Sequence, residues 1–376
     1  MLYLDHAATT PMRPEARAAM APFLADVFGN PSGLHGVART AKNALEDARE
    51  RAAGILGAAH PLEIVFTGGG TEADNLAVVG AALAEGGGVV TAATEHEAVL
   101  ESAAFLTRIG RDTRVVGVDG AGRVDVQNVI DSVDDATSVV SVMAANNETG
   151  VVQPVAKLAT AVHGERPGVV VHTDAVQAFV SEDVTVGDLG VDLLSLAAHK
   201  FGGPKGIGLL YVRNGVDLEP VIHGGGQELG RRSGTQNVAG IVGMVAAMEA
   251  ATEGRDEFRS RVRAERDVFE SRLTGAIPDV VVNAPSDARL VQHSHVRIPG
   301  VPAETLLIRL DQRGVAASAG SACQSGAIEP SHVLTAMGIG SEDARHCVRF
   351  SFGWTTPRGA GSDAAGAVIE TVGALR

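Results

Sequence analysis

Between about residue 60 and residue 213, short β-branched runs ending in polar or glycine punctuation alternate with helical stretches. "EIVFTGGG" leads into "TEADNLAVVGAALAEG", "GVVTAATEH" into "EAVLESAAFLTRIG", and "TSVVSVMAANNETG" into "VAKLATAVHG"; "GVVVHTDAVQ" and "VDLLSLAAHK" complete the series. Strand–helix alternation builds βαβ units, so this stretch predicts an α/β protein with a mainly parallel sheet. "GIGLLYVR" follows Lys200 too closely for a crossover helix, which predicts an antiparallel neighbour of the preceding strand. A long helical stretch from about Asn237 to Leu273 reads as a connector. Beyond it the pattern becomes that of a smaller α+β unit. The expected division is a large domain over 11–256 and a small one formed by 1–10 with 257–376, in keeping with a chain of 376 residues.

In a parallel sheet, ligands bind at the carboxyl ends of the strands. This chain places "TGGGTE" (67–72), "ATEHE" (93–97), "ANNETG" (145–150), "HTDAVQ" (172–177) and "AAHK" (197–200) at those ends. Each has an ordinary reading when taken alone. The three glycines 68–70 before a helix start suit a phosphate, yet Thr71-Glu72-Ala73-Asp74 also fits a capping box. The same string satisfies a loose dinucleotide fingerprint, although no acid stands about 20 residues on. Asp174, His96 and Asn147 could each be satisfied structural polar groups. Lys200 differs in kind: loop lysines are mostly solvated, but this one shares a rim with a glycine cup, a carboxylate, a histidine and an asparagine. That set matches the needs of pyridoxal phosphate, namely an amine for a Schiff base, a helix terminus for phosphate and a carboxylate for the pyridinium nitrogen.

Composition narrows the partners. The net charge of −14 argues against direct nucleic-acid or anionic-membrane binding. The densest basic run, "RSRVRAERD" (259–267), is interleaved with acids and reads as a solvated helix face. No apolar run is long enough to span a bilayer, and "MLYLDHAATTP" is not a signal or transit sequence, so a cytoplasmic protein is expected. The two cysteines, Cys323 and Cys347, cannot build a zinc site and are expected to be thiols; no metal site is expected. Cys347 in "RHCVRFSFG" reads as a small buried hydrophobe. Cys323, among Ala, Ser and Gly in "ASAGSACQSG", lies on no apolar periodic face, so an accessible thiol fits it better.

Taken in order, "YLDHAATTP", "GNPSGLHG", "GGGTEADNLA", "TEHEAVL", "NNETGVVQP", "TDAVQ", "HKFGGPKGIG", "HGGGQELGRRSGTQN", "SAGSACQSG", "EPSHVLTAMG" and "VRFSFG" resemble the cysteine desulfurases of the NifS/IscS type, in the class V branch of fold-type I pyridoxal-phosphate enzymes. The resemblance runs from residue 3 to about 355. It implies a seven-stranded, mainly parallel sheet with a smaller α+β domain. It also implies removal of sulfur from L-cysteine to give L-alanine and a persulfide on Cys323, passed to an acceptor or scaffold protein for iron–sulfur cluster assembly or other sulfur transfer. On this resemblance Lys200 carries the cofactor and moves the Cα proton, Asp174 pairs with the pyridinium nitrogen, Gln177 bonds the phenolic oxygen, and His96 stacks on the ring and transfers protons. Gly70, Thr71, Ala197 and His199 border the phosphate, with Thr235 reaching in from a second subunit of a homodimer. Asn147 and Arg349 would bind the substrate carboxylate, with Asn30 and His35 also on the substrate side.

There are departures. Ala197 stands where relatives usually have Ser or Thr, which predicts looser cofactor retention. Gln227 and Leu229 replace residues that are often His or Asn and Arg, and the ending "ETVGALR" lacks the long tail of housekeeping members, which leaves the acceptor open. The rival readings are a selenocysteine lyase or another class V aminotransferase or lyase, a dinucleotide-dependent oxidoreductase built on "GGGTEA", and a non-catalytic scaffold.

Overall fold

The structure is a computed structural model in which residues 1–320 and 330–376 are described. Its strands, in chain order, are β1 (Leu2–Tyr3), β2 (Ile64–Thr67), β3 (Gly88–Ala92), β4 (Thr113–Val116), β5 (Thr137–Ser141), β6 (Val170–Asp174), β7 (Leu193–Ala197), β8 (Gly208–Val212), β9 (Val281–Asn283), β10 (His293–Arg297), β11 (Val315–Ala316) and β12 (Cys347–Ser351). Seven of them form one sheet in the order β2-β8-β7-β6-β5-β3-β4. The pairs among β3 to β7 are parallel, whereas β8 runs antiparallel to both β2 and β7. This is the α/β arrangement expected, including the reversed strand after Lys200. Every residue of β2, β3, β6, β7 and β8 is buried. Helices cover both faces, so these strands read as continuous apolar runs and not as alternation.

A second apolar core gathers Leu4, Phe258, Val262, Phe269, Val348, Phe350 and Val368. It lies on the antiparallel sheet β9-β10-β12, where the Phe269 ring sits 4.7 Å from that of Phe350. The N-terminus joins this side of the molecule: β1 pairs in parallel with β11, and Asp5 bridges Ser351.

Two expectations change. The stretch 237–273 is two helices, Val238–Glu253 and Arg255–Ala276, meeting at Gly254. The first is apolar almost all round and buried, while the second is charged and amphipathic, so the two meet different environments. The basic run 259–267 is also not wholly a solvated face, because Arg266 is 1 % exposed and donates to Leu290 O and Asp267. Its long apolar stem lies against the core while its head stays paired.

Candidate active site

The carboxyl end of β2 runs through Gly68 and Gly69 into a helical stretch that continues from Gly70 to Glu85, with a π-helical turn at Leu76–Gly80. Gly69 has φ 156° and ψ 179°, a conformation essentially closed to other residues. Gly208, on β8, completes the close fit: a Cβ there would stand 2.5 Å from the Gly69 carbonyl carbon. Of the two readings of this string, the capping box at Thr71–Asp74 does not form. Gly69 is the N-cap, and Glu72 folds back instead, its Oε2 accepting from Gly68 N at 2.8 Å and its Oε1 from Arg232 Nε at 2.8 Å. The turn thus keeps its shape without a side chain over the first helical N–H groups, which remain available to an anion.

Gly68–Thr71 line an open cleft of about 800 Å³ together with Thr9, His199 and Lys205. The Ala197 side chain backs this cup, since a Cβ on Gly70 would stand 3.2 Å from that of Ala197. His199 Nδ1 shares a 3.1 Å hydrogen bond with Thr9 Oγ1. Burial, and then Lys200 and Lys205, lower its pKa to about 4, so its ring is neutral near pH 7.

Lys200 follows β7 on a single 3₁₀ turn and is half-buried. Its Nζ donates to the carbonyls of Ala7 (2.6 Å) and Ala8 (3.0 Å). Gln177 Nε2 donates to the same Ala7 oxygen at 3.0 Å, so the N-terminal segment ties these two side chains to one point. Asp174 ends β6 at 7 % exposure and accepts from Val176 N at 2.8 Å. Burial raises its pKa, while His96, the Val176 N–H and Lys200 pull it down. A nearly buried carboxyl with an amine and an imidazole close by is ready to hold a cation. His96 caps the helix Glu97–Arg108 through Nδ1, which accepts from Ala98 N, and this fixes its ring at the rim.

Beneath Asp174 lies polar chemistry that sequence reasoning missed. His172, two residues back on the same face of β6, is fully buried between Ser141 Oγ (2.8 Å) and Ser195 Oγ (3.0 Å). Asp74 Oδ1 is 3.7 Å from His172 Nε2. Burial, with Asp174 and Glu95 as like charges, raises the Asp74 pKa well above the usual carboxylate range. Glu95, also fully buried, is raised in the same way. The available signal was the period-2 spacing from Asp174 to His172 and the position of Asp74 one turn into the glycine-led helix.

Arg349, on β12 and 2 % exposed, donates to Asn147 O at 2.9 Å and to Asp5 Oδ1 at 2.6 Å. Arg349 and Asn147 are therefore brought together. Thr235 is exposed, as are Asn30, whose Oδ1 accepts from Ser32 N, and His35, whose Nδ1 caps the helix Gly36–Leu56. None of the three lines the cleft. Cys323 lies outside the described residues. Cys347 is 1 % exposed, and burial pushes its thiol up to about 11, in line with a packing role. Among the described residues no cluster suits a metal ion, and no helix is long and apolar enough to cross a membrane.

Residues 2–358 match the family described as aminotransferase class-V. The chain is 43 % identical over 360 residues to "Cysteine desulfurase IscS" of Dictyoglomus turgidum, covering 95 % of this chain and 91 % of that one. Among solved structures it resembles a "NifS-like protein" with a TM-score of 0.93, 35 % identity and 99 % of both chains covered. It also resembles "SspA in complex with cysteine" with a TM-score of 0.83 and 36 % identity, over 94 % of this chain and 99 % of that one. The glycine cup, the Asp174–Lys200 rim and the sheet that carries them sit within a match of that extent: the chain belongs to the class-V aminotransferase family, in its cysteine desulfurase branch.

Proposed function

We propose that this protein is a pyridoxal-phosphate-dependent cysteine desulfurase that takes sulfur from L-cysteine, releases L-alanine and carries the sulfur as a persulfide on Cys323. One observation carries the reading. Lys200 and the nearly buried Asp174 stand at the carboxyl ends of the neighbouring parallel strands β7 and β6, beside a glycine cup that has no capping side chain over it. The residues present fit the cofactor. Gly69 adopts a backbone only glycine allows, Gly208 leaves room for it, and Asp174 is a buried carboxyl suited to a pyridinium.

In this reading Gly70, Thr71 and His199 would hold the phosphate, with Ala197 behind them and Thr235 supplied by a second copy in a homodimer. Lys200 would supply the amine that anchors the cofactor, Asp174 would hold its ring nitrogen, Gln177 its phenolic oxygen, and His96 would serve at its ring. When bound, the group supplies an electron sink for the negative charge left at the substrate Cα. Lys200 removes the Cα proton, and Arg349 with Asn147 holds the substrate carboxylate, a task that suits a planar guanidinium. The Cys323 thiolate attacks the substrate sulfur, the Cβ–S bond breaks with its electron pair going to Cβ, and alanine is completed by one proton delivered to Cβ and by return of the Cα proton from Lys200. Sulfur is oxidised to the persulfide level and Cβ is reduced, so no outside oxidant is needed. The large unit 11–256 would carry the cofactor, and 257–376 with 1–10 the cysteine segment. We take the compartment to be the cytoplasm, where a thiol at 323 stays reduced. The sulfur then passes to an acceptor protein.

Borohydride reduction of cofactor-loaded protein is expected to leave a pyridoxyl group on Lys200. L-cysteine is expected to yield alanine together with persulfide on Cys323, both lost in Cys323→Ala. Alanine formation at full rate in that variant, or no label on Lys200, refutes the assignment.

A further inference from the structure

One layer below the rim, the central sheet changes character. On one face of β5, β6 and β7, Val139, Val170 and Leu193 belong to an apolar core. Two residues further along each strand, on the same face, stand Ser141, His172 and Ser195, all nearly or fully buried. Ser141 is the register partner of His172, and Ser195 is that of Asp174. The side chains join across the strands: His172 Nδ1 meets Ser141 Oγ at 2.8 Å, and Nε2 meets Ser195 Oγ at 3.0 Å. Thr91 of β3 extends the row by donating to Ser141 O at 2.9 Å. Asp74, from the helix that begins at Gly70, closes the row with Oδ1 3.7 Å from Nε2.

Stability does not require such a layer. A polar side chain taken out of water costs free energy unless it is bonded, and an apolar set of the same shape can serve as well. What the hydrogen bonds add is a fixed orientation. A neutral imidazole has one donor and one acceptor; here each nitrogen has its serine, so the ring cannot turn without losing a bond. Burial lowers the His172 pKa to about 3, which keeps the ring uncharged. Burial and then Asp174 raise the Asp74 pKa well above the usual carboxylate range, so that group stays protonated. The row thus supplies hydrogen bonds without charge, and the Asp174 carboxylate is left to a cation at the strand ends. His172 and Asp174 share a face about 6–7 Å apart along the strand, and the three strands that the row ties lead to Asn147, Asp174 and Lys200 at their carboxyl ends.

We propose that His172, held by Ser141 and Ser195, is a positioning residue that sets Asp174 against Lys200, so that the ring nitrogen and the amine of the cofactor site are met together. The proposal rests on the pyridoxal-phosphate reading above.

The test uses holoenzyme loaded with cofactor isotopically labelled at the ring nitrogen, whose NMR shift separates a protonated ring nitrogen from a neutral one. In His172→Leu the signal is expected to move toward the neutral value, and the Kd for pyridoxal phosphate to weaken about tenfold, the worth of one misplaced charge-assisted hydrogen bond. That variant also strands two serines, so its stability falls too. The triple variant Ser141→Ala, His172→Leu, Ser195→Ala separates the two effects. With no polar group left to satisfy, it should unfold close to the wild type while keeping the displaced signal and the weaker Kd, and it carries the test if His172→Leu does not fold. A wild-type signal and Kd in either folded variant overturn the proposal. Failure of the cofactor reading looks different: the wild-type protein itself would bind no pyridoxal phosphate.

Discussion

Ala197→Ser tests the phosphate cup directly. Ala197 ends β7 at 2 % exposure and stands behind Gly70. A hydroxyl added there lies beside the first turn of the helix that begins at Gly70, where a bound phosphate would sit. One net hydrogen bond contributes about 1 kcal/mol, and up to about 3 kcal/mol when its partner is charged. With about 1.4 kcal/mol per tenfold, the Kd for pyridoxal phosphate should tighten about fivefold at the lower figure and well over tenfold at the upper. The assay is a titration of cofactor-free protein followed by intrinsic fluorescence. The one tryptophan, Trp354, lines a small cavity together with Lys200 and is well placed to report binding. Without the cofactor the variant should be no more stable than the wild type, since a buried hydroxyl without a partner costs free energy. An unchanged or weaker Kd in a variant that unfolds like the wild type would refute the placement of Ala197 at the phosphate.

Three further outcomes follow from the buried groups. Among the described residues, Glu228→Ala removes the only buried carboxylate paired to Arg49, which meets both of its oxygens at 2.7 and 2.9 Å and would keep just Ile64 O and the half-exposed Glu46. Chemical denaturation should register a loss of about 3–5 kcal/mol, whereas replacing both residues by apolar ones of similar volume should cost much less; a single-variant loss below about 1 kcal/mol contradicts this. Asp74→Asn should gain stability over the wild type as pH rises. The folded-state pKa of Asp74 is raised, so above about pH 4 the unfolded chain gives up a proton that the folded one keeps, at up to about 1.4 kcal/mol per pH unit. Urea unfolding at pH 5 and pH 8 measures it, and no growth of the difference with pH would count against a protonated Asp74. Finally, native protein at pH 8 should show one fast-reacting thiol, with Cys347 reacting only after unfolding; rapid labelling of Cys323→Ala would mean that Cys347 is not sealed in.

The fold class and the rim were legible in the sequence because both are written locally. Apolar runs of strand length alternating with helices specify a parallel sheet, and the residue types just past each run name what stands at its carboxyl end. Lys200, Asp174, His96 and Asn147 could be placed in this way. What the tertiary structure alone decided is which partner each polar group meets. Ala7 is an unremarkable residue until its carbonyl receives both Lys200 and Gln177. Asp74 reads as part of a helix cap until the sheet sets His172 beside it, and Arg266 reads as solvated until Leu290 closes over it. Glu148, in the turn after β5, reads as an ordinary loop acid until Ser331 donates to it and Gly320 packs on it from far along the chain. Periodicity is set by neighbours in sequence, whereas burial and pairing are set by packing between distant segments, and a charge takes its meaning from the second.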